Sequence, residues 1–141
     1  MQIGVESSRA VENKRIFVVD SDEITRAVLQ FMLHDENETH ELGSMEQAYA
    51  KAEQWPPDLI MIGTTLMKEV GIGVIADLKT RLPKAKVLIV ADTATDETAS
   101  SGLKAGAHGI LAKPLKIETV RRKADIMLGR RTALSIPVQV A

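Results

Sequence analysis

Cysteine is absent from the 141 residues, so no disulfide, thiolate metal ligand or thiol nucleophile is available to this chain. Aromatic residues make up 3% of it, too few for a surface that stacks the bases of single-stranded nucleic acid. Charge of one sign is lacking as well. The formal net charge is -1 at pH 7, which argues against a generally basic surface of the kind that gathers nucleic acid or anionic lipid. No apolar run approaches the roughly 20 residues of a membrane-spanning helix, and the opening MQIGVESSRAVENK has no apolar centre of a secretion signal. These absences leave the expectation of a cytoplasmic protein with no membrane and no nucleic-acid partner.

What is present is a chain of 45% hydrophobic content, enough for one ordinary core with little left for a second. Short β-rich runs alternate with longer stretches of helical period. RIFVVD (15–20) reads as a first strand, after which Ile24, Ala27, Val28, Phe31 and Met32 recur at helical spacing behind Ser21 as N-cap. ETHEL (38–42) is a polar second strand suited to an edge. Ser44 caps a second helix through Gln54, ended by Pro56 and Pro57, and DLIMI supplies the third strand. A third helix is expected from about Val70 to Leu82, then KVLIVA as fourth strand, and a fourth helix from Thr95 to Ala105 stopped by Gly106. GILA is a short fifth strand, and Lys116 to Gly129 a last helix.

Several of these strands are too apolar for one-sided exposure, so the pattern predicts a doubly wound α/β fold: a five-stranded parallel sheet covered on both faces. Sites in that class lie at the carboxyl ends of the strands. Those ends carry Asp20-Ser21-Asp22-Glu23, Gly63-Thr64-Thr65, Ala91-Asp92-Thr93 and Lys113-Pro114.

With these residues in place, the stretch 14–130 resembles the receiver domains of two-component response regulators, leaving an arm (1–13) and a tail (131–141). RIFVVDSDEITR is similar to the family's acidic first loop, PPDLIMIG to its acceptor strand, and LKAGAHGILAKPL to its alanine-glycine turn, last strand and lysine-proline pair. The resemblance implies a flavodoxin-like sheet in the order 2-1-3-4-5 and phosphoryl transfer from a kinase histidine to an aspartate, assisted by magnesium. It places that aspartate at Gly63, which has no side chain to attack phosphorus or ligate a metal. It also places the second metal-binding acid at Ser21, the phosphoryl-contacting hydroxyl at Ala91 and the switching aromatic at Ile110. Asp20 and Lys113 are kept. Asp22 and Glu23 preserve negative charge, as caps at a helix start.

The expectation is therefore an atypical receiver, not an enzyme, that signals by protein contact without phosphorylation. No cofactor is expected, and at most weak magnesium binding at Asp20. A contact between Asp20 and Lys113 is expected in place of phosphate. Two alternatives stay open: a phosphoacceptor at Asp20, Asp22, Thr64 or Thr65, and a nucleotide- or metabolite-sensing module. The second is prompted by GIGVIA (71–76), which matches G-x-G-x-x-A with Asp92 ending the next strand, although residues 63–70 separate it from its own strand. His34, His40 and His108 have no metal-ligand spacing. The resemblance implies a partner or homodimer face formed by the fourth helix, fifth strand and fifth helix, with Ile110, Arg121 and Arg122 on it. The apolar tail ALSIPVQVA is left to pair along a sheet edge, cover a groove or stay unstructured.

Overall fold

Every residue of LIMIG is buried, and a strand buried on both faces requires helices on both. The computed structural model describes residues 14–130 and provides them; the expected arm and tail, with Arg131, lie outside the described residues. In chain order the elements are β1 (Arg15–Val19), α1 (Glu23–Leu33), β2 (Glu38–Leu42), α2 (Met45–Ala52), β3 (Leu59–Gly63), α3 (Thr64–Val70), α4 (Gly73–Arg81), β4 (Lys86–Ala91), α5 (Glu97–Lys104), β5 (Gly109–Ala112) and α6 (Ile117–Met127). All strand pairs are parallel, in the expected order β2-β1-β3-β4-β5.

Alternation along the strands divides the core in two. Phe17, Ile60, Ile62 and Ile89 meet Ala48, Met67, Ile75 and Ala99 from α2 to α5. On the opposite face Ile16, Val18, Met61 and Leu88 meet Leu29 and Leu33 of α1 and Val120 and Ala124 of α6. The polar strand β2 is at the edge, as its sequence implies. Arg15 grips the Glu38 carboxylate with Nε (2.6 Å) and Nη2 (3.2 Å), and His40 Nε2 adds a third contact at 2.8 Å.

Three local expectations are corrected. The N-cap of α1 is Asp22, whose carboxylate accepts the Ile24 amide, and not Ser21. Helix α1 buries Thr25, Leu29 and Leu33. Of the residues expected at helical spacing only Met32 packs against the core, while Ile24 and Phe31 point outward, 74% and 69% exposed. Two apolar stripes fit one helical period, and periodicity alone does not choose between them. Finally, the helix expected from about Val70 starts instead at Gly73 as α4, and a further helix not expected, α3, precedes it, parted from it by Gly71 at φ 95°, a conformation that costs glycine little and other residues much.

Candidate functional site

The carboxyl ends of β1, β3, β4 and β5 bring Asp20, Gly63, Ala91 and Lys113 to one edge of the sheet. Asp20 follows β1 and is held by its backbone: its amide donates to Leu42 O at 3.1 Å and its carbonyl accepts Arg26 Nη1 at 2.7 Å. The residue is 3% exposed, and its carboxylate turns inward to fill the space above Gly63. A Cβ at position 63 would fall on that carboxylate.

Gly63 leads directly into α3, for which it is an N-cap without a side chain. Asp20 supplies the missing acceptor from another strand, taking the Leu66 amide on Oδ1 at 3.1 Å. An N-cap side chain normally accepts the same amide, three positions into the helix. Helix α3 is tied down twice more: Ser21 Oγ donates to Glu69 Oε2 (2.9 Å), and Lys68 Nζ meets the Asp96 cap of α5 (3.5 Å).

Burial pushes the Asp20 carboxyl above the ordinary aspartate range, against the opposing pull of the Leu66, Asp22 and Ser21 amides. Asp20→Asn keeps an acceptor for Leu66 without the charge. It is expected to raise stability at neutral pH by roughly 1 kcal/mol. A carboxyl with a raised folded-state pKa contributes fully below its unfolded value and loses that contribution as pH rises through the folded value. The Asn variant should therefore gain on the parent as pH rises through that window. Urea unfolding from acid to neutral pH measures this, and an Asn variant less stable than the parent at neutrality would contradict it.

The expected Asp20–Lys113 contact is not formed. Lys113 Nζ stays at the rim, donating to Thr25 Oγ1 at 2.9 Å and pairing with Asp92 at 3.1 Å and Asp22 at 3.9 Å. The physical reason is hydration: an ammonium keeps more of its water beside half-exposed carboxylates than beside a buried one. Thr25 in turn donates to Asp22 Oδ2 at 2.8 Å. That hydroxyl, helped by the Ile24 and Thr25 amides and by Lys113, holds the Asp22 carboxyl below the usual range. Thr25 and Glu69 were not anticipated as members of this edge. For Thr25 the available signal was D-x-x-T at a helix start, a capping pattern.

Ala91 is fully buried and presents no hydroxyl. Thr64 opens α3 at 1% exposure, and its Oγ1 has no hydrogen-bond partner; Thr65 is half-buried. A magnesium ion asks for several oxygens at near-octahedral positions with room for water. Asp20 is turned to an amide, the Ser21 hydroxyl to Glu69, and Asp22 to its own helix, so these residues do not fit the ion. Among the described residues no group of three or more His, Asp or Glu is placed to hold a metal. Each histidine has a local partner instead: His34 the carbonyls of Gln30 and Phe31, His40 Glu38, and His108 the Val87 amide.

A family model described as the response regulator receiver domain matches residues 16–125. The chain is a response regulator receiver domain. Its relatives include the DNA-binding transcriptional activator DevR/DosR of Mycobacterium tuberculosis, 31% identical over 120 residues that cover 82% of this chain and 55% of that protein. Chemotaxis protein CheY of Halobacterium salinarum is 26% identical over 76% of this chain and 90% of its own length. A Burkholderia pseudomallei response regulator, solved with a phosphorylated aspartic acid, calcium and citrate, superposes with a TM-score of 0.69 at 24% identity, over 92% of this chain and 74% of that one. This receiver domain spans about half the length of the first of these relatives.

On the receiver's flank, the residues expected to form a partner face divide. Ile110 is half-buried on β5 against the α2-to-α5 core. Arg121 belongs elsewhere: its Nε donates to Met32 O at 2.9 Å and its Nη2 meets Asp35 at 3.4 Å, fastening α6 to α1. Lys123 donates to Ile110 O at 2.9 Å, and Arg122 is half-buried. The glycines of GIGVIA do not bracket a strand-to-helix turn, because α3 intervenes after β3. Among the described residues no helix is long and apolar enough to cross a membrane.

Proposed function

We propose that this receiver domain signals by protein contact, without phosphorylation of its own sheet edge and without catalysis. One observation carries the reading: Gly63 stands where the family resemblance puts the acceptor aspartate, and the Asp20 carboxylate fills the space its side chain would need. Asp20 is a poor substitute nucleophile, being 3% exposed and committed to the Leu66 amide. Thr64 is equally enclosed. A receiver is a two-state element that phosphate ordinarily biases, so here a bound protein must supply the bias or one state prevails. The face proposed for a signalling partner is α5, β5 and the first turn of α6, where Leu103 is 44% and Ile117 38% exposed.

The test is incubation with magnesium and acetyl phosphate beside an active receiver, read by intact mass. No adduct is expected on this chain under conditions that fully modify the control. A stoichiometric, alkali-labile adduct would mean that another carboxylate serves as acceptor and would end this reading.

A further inference from the structure

Helix α1 has two apolar faces, and the fold uses one. The outer face, Ile24, Ala27, Val28 and Phe31, repeats at i, i+3, i+4 and i+7 and contains no charge. Surface stripes on a helix are ordinarily polar, yet Ile24 and Phe31 are the two most exposed large hydrophobic residues described, at 74% and 69%.

We propose that this stripe is a self-association surface on which α1 of a second copy packs antiparallel. The stripe is complementary to itself in that direction. Pairing about the midpoint between Ala27 and Val28 sets Ile24 against Phe31 of the second copy at both ends. The smaller Ala27 and Val28 lie at the crossing, where they allow the usual interaxial distance of about 8–10 Å.

Charge favours the same direction. At 100° per residue Glu23 and His34 fall on one flank of the stripe, at opposite ends, and both are exposed. In an antiparallel pair like flanks meet, so each Glu23 faces a His34 of the second copy. In a parallel pair unlike flanks meet, so this contact between Glu23 and His34 is not made. His34 Nδ1 is turned to the carbonyls of Gln30 and Phe31, which leaves the Nε2 edge, shared with Asp35 at 3.2 Å, toward the flank. Asp35 is itself engaged by Arg121, which moderates its repulsion of the incoming carboxylate.

The size of the stripe sets the strength. Four residues per copy fall short of the roughly 800 Å² per partner of a standard interface, so the dissociation constant is expected on the order of 100 µM. The proposal does not depend on whether Gly63 abolishes phosphorylation, and it places the second copy away from the α5–β5 face.

Sedimentation equilibrium of the full chain, from micromolar to millimolar, tests it. The mass should rise toward a dimer with concentration. Phe31→Glu and Ile24→Glu should each hold the chain monomeric with an unchanged melting curve, since neither side chain is in the core. Glu23→Lys should weaken association about fivefold, and adding His34→Glu should recover it. A chain monomeric throughout, or a dimer that survives Phe31→Glu, would overturn the proposal. Failure of the charge swap to recover association would overturn its antiparallel form.

Discussion

Gly63→Ala is expected to destabilise this receiver by about 2–4 kcal/mol, the sum of overpacking and a lost hydrogen bond in a buried place. The new methyl falls on the Asp20 carboxylate. Asp20 must then rotate out, leaving the Leu66 amide without its acceptor. Asp20→Ala alone should cost less, because it trades that hydrogen bond for relief of a buried charge. The double variant should recover most of the loss, a coupling of about 2 kcal/mol between residues in contact. Urea unfolding of the four proteins decides the point, and additive single effects would contradict the overlap. The same geometry predicts that Gly63→Asp does not by itself create a phosphoacceptor. The new side chain has nowhere to go until Asp20 is shortened.

A second large effect lies at the opposite end of the sheet. Arg15 and, after it, His40 hold the Glu38 carboxyl at about 2, below its ordinary 4.5. A carboxyl with a lowered folded-state pKa contributes stability that is complete above the unfolded value and disappears as pH falls through the folded one. The shift sets a ceiling of about 3 kcal/mol. Glu38 is 36% exposed on its side chain, so screening by water reduces the expected loss in Glu38→Gln to about 1–2 kcal/mol at neutral pH. The difference between parent and variant should shrink steadily from about pH 4.5 toward about pH 2. Equal loss at both ends of that range would point to packing and not to the ion pair.

How much of this was legible in the residues depends on what each expectation rested on. The two-sided core followed from LIMIG and KVLIVA, whose apolar runs require cover on both faces, whereas the strand order followed from the resemblance to receiver domains. The phase of α1 did not follow. Ile24–Phe31 and Leu29–Leu33 both recur at helical spacing, and the deciding fact is packing of Leu29 and Leu33 against β1 and α6, which periodicity does not record. Helix α3 was hidden for a similar reason. TTLMKEV is short and begins at a glycine, and its start is completed by a carboxylate 46 positions away in sequence, which no local pattern records. The partner of Lys113 was missed because two acids, Asp22 and Asp92, compete with Asp20 for it, and only geometry shows which of them keep their water.

In a doubly wound sheet the crevice beyond the strand ends is the customary place for a ligand. Here α3 starts at the very end of β3 and is fastened there by Asp20, Ser21 and Asp96. Selection at this edge would then act on how much folded protein a cell holds. A mutational scan scored on abundance alone should mark Gly63 as sharply as Ile62, and leave Ile24 and Phe31 free to vary.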